Sequence, residues 1–294
     1  MYTLTDTRAD TATHRLTGPP RAPATVVSWR FIVLAVVGAF ALITAVNISY
    51  RVFRDAKVAI YVNSDHLITP TLIGGGLFFL VTLVGLVTIG KLRPRDLGWQ
   101  RSKVGAGLVA TVGVWVAFQL IELAAALASG ATPQLSSAWT AAGWATAVGT
   151  FLGLILGIAP GEETFFRGFL LPQVRMKFAH IKTTSAVVLA VLVSQLLFAL
   201  YHLPNLVMGN GGKVGTTAAD IAVQLGIDFL TGVVYAALYL RTGNLFLVIG
   251  IHALQDASTS LVATPINPAL VILTLATVLL LATSIPARRG GTNR

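Results

Sequence analysis

Apolar runs of about twenty residues recur along the whole of this sequence, separated by short polar or basic stretches. Each run is long enough to cross the roughly 30 Å hydrocarbon core of a bilayer as a helix. In lipid a backbone must satisfy its own hydrogen bonds, which limits spanning structures to helices and closed barrels. Runs of this length and continuity select helices. We read spans at 31–48, 71–89, 104–128, 141–159, 183–203, 217–240, 245–263 and 268–285, with an amphipathic stretch at 161–178. Over 294 residues, 55% are hydrophobic and only 11% are charged, less than half the charged share usual in soluble domains, about 25%. The fold class expected is an all-α polytopic membrane protein with about eight transmembrane helices.

Charge placement orients the helices. Arg8, Arg15, Arg21 and Arg30 precede the first span, and Lys91, Arg93, Arg95, Arg101 and Lys103 follow the second. Arg167, Arg175, Lys177 and Lys182 follow the fourth, Arg241 the sixth, and Arg288, Arg289 and Arg294 the last. Eight crossings put all of these on one side, leaving only Arg51, Arg54, Lys57 and Lys213 on the other. Lysine and arginine accumulate in cytoplasmic loops, so both termini are expected in the cytoplasm. The net charge of +10 is then a topology signal and no argument for nucleic acid. The partner expected from this pattern is the lipid bilayer.

The chain divides by composition into a disordered cytoplasmic tail (1–28), N-terminal transmembrane helices (29–140), a C-terminal core (141–286) and a basic tail (287–294). No cysteine is present, which removes disulfides and thiolate chemistry. Gly153, Gly157 and Gly161 recur at four-residue spacing, and Gly74-Gly75-Gly76 lies in the second span. Both patterns permit close helix approach. Pro160 is expected to break or kink its helix just before a glutamate pair.

Acidic residues carry the functional signal. After Asp96 there are six: Glu122, Glu162, Glu163, Asp220, Asp228 and Asp256, each in or at the edge of an apolar segment. An intramembrane ionisable group must pair or line a wet cavity, and is a functional candidate by default. Glu163 and Arg167 stand four residues apart and can pair on one helix face, while Glu162 points about 100° away. Phe198 and His202 repeat the four-residue spacing, as do His252 and Asp256. One Glu, two His and one Asp on three helices could activate a water, hold a divalent ion or relay protons. Glu122 and Asp228 each stand alone, and a structural or rim role suffices for them. Phe165, Phe166, Trp144 and Tyr201 read as packing residues.

Taken in order, Glu162-Glu163-x-x-x-Arg167, Phe198-x-x-x-His202 and His252-x-x-x-Asp256 resemble the CPBP/ABI family, intramembrane proteases related to the CAAX prenyl endoprotease. Phe166-Arg167-Gly168 and Leu240-Arg241-Thr242-Gly243-Asn244-Leu245 add to the likeness, which covers roughly 145–262. The resemblance implies an endopeptidase in which Glu162 is general base towards a water and His202 lies close by. Glu163 and Arg167 would orient the site. His252 and Asp256 would hold either the developing oxyanion or, together with His202, a divalent metal ion, zinc before others. The prenyl endoproteases carry Asn where this chain has Asp256, and Asp donates a hydrogen bond only when protonated. That departure favours metal ligation or proton transfer, and weakens any claim on prenylated substrates. The resemblance implies a membrane-associated polypeptide as substrate and a plasma membrane of bacterial type as the location.

Two other classes use the same residues: a transporter or proton relay, and a catalytically silent scaffold or immunity protein. One conflict is internal to the eight-span reading. His202 would lie about 29 Å along its span, at 1.5 Å per residue, while Glu162 sits at an inner helix end. A broken or re-entrant segment near the Glu-Glu motif resolves it.

Overall fold

A computed structural model describes residues 20, 23–130, 132–140, 143–208, 217–257 and 259–284. All its regular elements among these residues are helical. We label them α1 (Trp29–Val52), α2 (Arg54–Asn63), α3 (Pro70–Thr88), α4 (Arg101–Ala128), α5 (Trp144–Lys177), α6 (Thr183–Met208), α7 (Ala218–Thr242), α8 (Leu245–Asp256) and α9 (Pro268–Ser284). Six of these runs are long and apolar enough to cross a membrane, and α8 and α9 are shorter apolar helices. The protein is a multi-pass membrane protein. Starts are built by side chains that accept otherwise unpaired backbone N–H groups: Ser28 caps α1, Thr69 caps α3, Thr217 with Asp220 forms a capping box on α7, and Asn244 caps α8.

The segment around the glutamates differs from the expected break. The fourth span and the amphipathic stretch form one continuous helix of 34 residues, α5, about 50 Å long at 1.5 Å per residue. The local interruption is absorbed by two π-helical turns, Leu154–Ile158 and Thr164–Leu170. In each, the residue just before a proline donates five residues back: Ala159 to Leu154 O, and Leu171 to Phe166 O. Pro160 and Pro172 lack an N–H and would clash with the carbonyl four residues earlier. The wider turn relieves that clash without ending the helix.

The glycine patterns interlock to seat α5 on α3. A Cβ on Gly75 would lie 2.6 Å from Ile158 N, and one on Gly157 would lie 3.1 Å from Gly76 N. Gly161 faces Phe78, near the middle of α3. The glutamates after it therefore sit level with the middle of α3 rather than at a helix end. His202 reaches the same level, because Tyr201 packs on Phe78 and Phe166.

Contacts at the helix ends follow the charge reading. Trp29 packs on Phe178, Lys103 Nζ donates to Thr242 O at 2.9 Å, and Asn244 Nδ2 donates to Lys103 O at 3.0 Å. The basic ends of α1, α4, α5 and α7 thus gather on one side. Arg51 bonds Met208 O at the far end of α6.

Two glutamines hold extended segments. Gln173 accepts from Val27 N and donates to Thr25 O, so residues 23–28, expected as disordered tail, are clamped against α5. Residues 1–19 of that tail and the basic tail 287–294 lie outside the described residues. The expected seventh span stops at Asp256, shorter than the 245–263 reading. Beyond it Gln119 donates to Thr259 O and accepts from Leu261 N, and Trp139 Nε1 donates to Ser260 O. These side chains supply partners that a helix would otherwise provide internally, so the backbone can stay extended inside the protein.

Candidate active site

Four helices build the site: α5 supplies Glu162, Glu163 and Arg167, α6 supplies Phe198 and His202, α7 supplies Gly232 and Tyr235, and α8 supplies His252 and Asp256. The helical spacing of the motifs turns each pair to one face, and packing brings the faces together. Glu162, Glu163, Arg167 and His252 are almost wholly buried, whereas the His202 and Asp256 side chains are 21% and 37% exposed. Exposure rises from Arg167 towards Asp256, so the site is sealed at one end and reachable at the other.

Arg167 is neutralised and packed on all sides. Its Nη1 lies 2.9 Å from Glu163 Oε1, its Nη2 donates to Gly232 O at 3.3 Å, and its guanidinium lies 4.1 Å from the Phe198 ring centre. A buried charge persists only when paired and hydrogen-bonded. Gly232 is required for this fit, since a Cβ there would meet Gln195 Oε1 at 2.7 Å and Arg167 Nη2 at 3.3 Å.

Glu163 Oε1 also takes the Nδ1–H of His252 at 2.8 Å. His202 Nδ1 lies 2.8 Å from Phe198 O, a carbonyl that can only accept, so that nitrogen carries the hydrogen. Both rings thereby turn Nε2 towards Glu162. Its Oε2 is 3.7 Å from His202 Nε2 and 3.8 Å from His252 Nε2, and has no hydrogen-bond partner among the described residues. Asp256 Oδ2 lies 3.2 Å from His252 Nε2. An imidazole between two carboxylates satisfies both only when both nitrogens carry hydrogen.

Residues 143–258, which hold all six of these ionisable groups, match the family model for the type II CAAX prenyl endopeptidase Rce1-like proteins. The segment that carries the site is Rce1-like. No curated protein and no solved structure matches the chain significantly. The family match covers less than half of the chain.

All six predicted residues of the Rce1-like segment come together. Glu122 and Asp228 stay apart from them: Glu122 accepts from Ser260 Oγ at 2.8 Å, and Asp228 from Gln224 Nε2 at 2.8 Å. Phe165, Phe166 and Tyr201 form an aromatic wall, as expected, but Trp144 is largely exposed. The predicted metal ligands His202, His252 and Asp256 do not assemble as one: among the described residues no group of three or more His, Asp or Glu is arranged to hold an ion. Asp256 lies 3.2 Å from His252 Nε2, and Glu162 stands between the histidines.

Three neighbours carried no motif. Tyr235 lies over His252 with ring centres 5.3 Å apart and donates to Gln255 Oε1 at 2.5 Å. Gln195 is fully buried beside Gly232. Each lies in a largely apolar helix without a spacing of its own that would mark it.

Proposed function

We propose that this protein is an intramembrane endopeptidase that hydrolyses a peptide bond of a membrane-associated polypeptide with Glu162 as general base. One observation carries the reading: a buried, unpartnered carboxylate oxygen flanked by two imidazole nitrogens at 3.7 and 3.8 Å. Those spans are too long for direct hydrogen bonds and suit a bridging water. The water donates one hydrogen to Glu162 Oε2 and attacks the scissile carbonyl carbon. The tetrahedral intermediate then expels the amine, which leaves with the proton that Glu162 took up. Glu163 orients His252 from behind, and Arg167 balances the charge of Glu163 in the sealed end.

A divalent ion is the second reading. In its favour, each histidine directs Nδ1 to an acceptor and Nε2 towards Glu162, the pattern of metal-ligating histidines. Against it stand the 3.2 Å approach of Asp256 to His252 Nε2 and the absence, among the described residues, of a three-residue cluster arranged for an ion. Metal content of the purified protein, compared with His252→Ala, separates the two. The peptidase reading itself is tested by comparing membrane-protein fragments between wild type and Glu162→Gln.

A further inference from the structure

Hydrolysis by an activated water places negative charge on the carbonyl oxygen, and that oxygen needs hydrogen-bond donors held ready for it. The donors in this site are mostly committed. Arg167 is fully buried behind Glu163 and Gly232, and its unpartnered Nε is sealed in with it. His202 gives Nδ1 to Phe198 O, and His252 lies between Glu163 and Asp256. Glu162, Glu163 and Asp256, when ionised, only accept.

Gln255 is different. It follows His252 by three residues and precedes Asp256 by one, so the two side chains flank His252 on the same helical face. Its Oε1 accepts from Tyr235 Oη at 2.5 Å. At 2.5 Å the contact has the length of an O–H···O bond and is shorter than an N–H···O bond, which marks the oxygen as the end of the amide facing Tyr235 and leaves NH₂ at the other. Tyr235 is itself held, 1% exposed, between the His252 ring and the Arg167 guanidinium. Gln255 is partly exposed, at the reachable end of the site, and its Nε2 has no partner among the described residues. It is a neutral amide donor, anchored at one end and available at the other.

We propose that Gln255, oriented by Tyr235, donates its Nε2–H to the carbonyl oxygen of the scissile peptide and stabilises the oxyanion. The proposal rests on the peptidase reading. In the step, the water oxygen bonds to the carbonyl carbon and the water proton goes to Glu162. The carbonyl π pair moves onto the oxygen facing Gln255, and its return breaks the C–N bond as the amine takes the proton. Gln255 exchanges no proton.

The test uses full-length protein in vesicles, with a membrane polypeptide whose fragment wild type releases and Glu162→Gln does not. Gln255→Glu is nearly isosteric and still accepts from Tyr235, but offers no amide hydrogen. It should lower kcat about 10²–10³-fold, as loss of an oxyanion donor does, with KM and the melting temperature little changed. Gln255→Leu should show the same kcat loss. Tyr235→Phe keeps the donor but frees it, and should lower kcat less than either. Wild-type kcat in Gln255→Glu would overturn the proposal while leaving the peptidase reading intact. Loss in Gln255→Leu but not in Gln255→Glu would overturn it too, because the amide would then serve only to pack Tyr235. Should Glu162→Gln release the fragment normally, the peptidase reading itself fails.

Discussion

Glu163 and His252, 89 residues apart in sequence, meet at 2.8 Å through Oε1 and Nδ1. The same oxygen holds Arg167 at 2.9 Å. This one atom ties the sealed end of α5 to the ring that faces Glu162.

Removing one partner of a buried ion pair leaves an unpaired charge and costs about 3–5 kcal/mol. Arg167→Ala should therefore unfold at markedly lower denaturant than wild type. The double variant Glu163→Gln/Arg167→Met, which removes both charges, should recover most of that stability yet remain inactive, since His252 loses its carboxylate. Unfolding in detergent and fragment release measure the two effects. Equal stability of Arg167→Ala and wild type would contradict the pairing.

Gly75 and Gly76 form a matched pair. Ala at 75 would place Cβ 2.6 Å from backbone Ile158 N, whereas a Cβ at 76 meets nothing within 4 Å. Overpacking against backbone typically costs about 1–3 kcal/mol. Gly75→Ala should lower the melting temperature by several degrees and weaken activity, while Gly76→Ala should resemble wild type. Equal effects at both positions would show that α5 does not rest on α3 in this register.

Pro160→Ala restores an N–H where the π turn now compensates for its absence. A π turn relaxing to α rotates the following residues by up to about 100°, which would turn Glu162 away from the histidines. We expect stability equal to or above wild type with activity sharply reduced. Full activity would mean that the π turn is not what aims the glutamates.

The metal reading yields its own outcome. With Asp256 occupying His252 Nε2, chelator-treated protein is expected to keep its activity and His252→Ala to leave metal content unchanged. Stoichiometric metal that disappears in His252→Ala, with activity restored by adding it back, would establish the second reading instead.

Much of this was legible in the sequence because hydrocarbon penalises charge so heavily. Carboxylates and histidines in apolar segments must pair or line a wet cavity, and Glu162, Glu163, Arg167, His202, His252 and Asp256 do lie together. The glycine stripes were legible for the same reason of contact geometry. What hydropathy cannot show is how a helix absorbs a proline, so Pro160 suggested a break where α5 runs on through π turns. Nor can it show that Gln119 and Gln173 complete the backbone bonding of extended segments, which shortened the seventh span to Asp256 and ordered residues 23–28. Tyr235 and Gln255 escaped because their roles depend on a contact between two helices, with no spacing of their own.

The central claim is that Glu162 activates the attacking water. Glu162→Gln conserves shape and removes the base. Comparing membrane-protein fragments from cells making equal, stably folded amounts of wild type and Glu162→Gln tests it most directly. The account predicts fragments released by wild type that vanish in the variant. An identical set of fragments from both would contradict it.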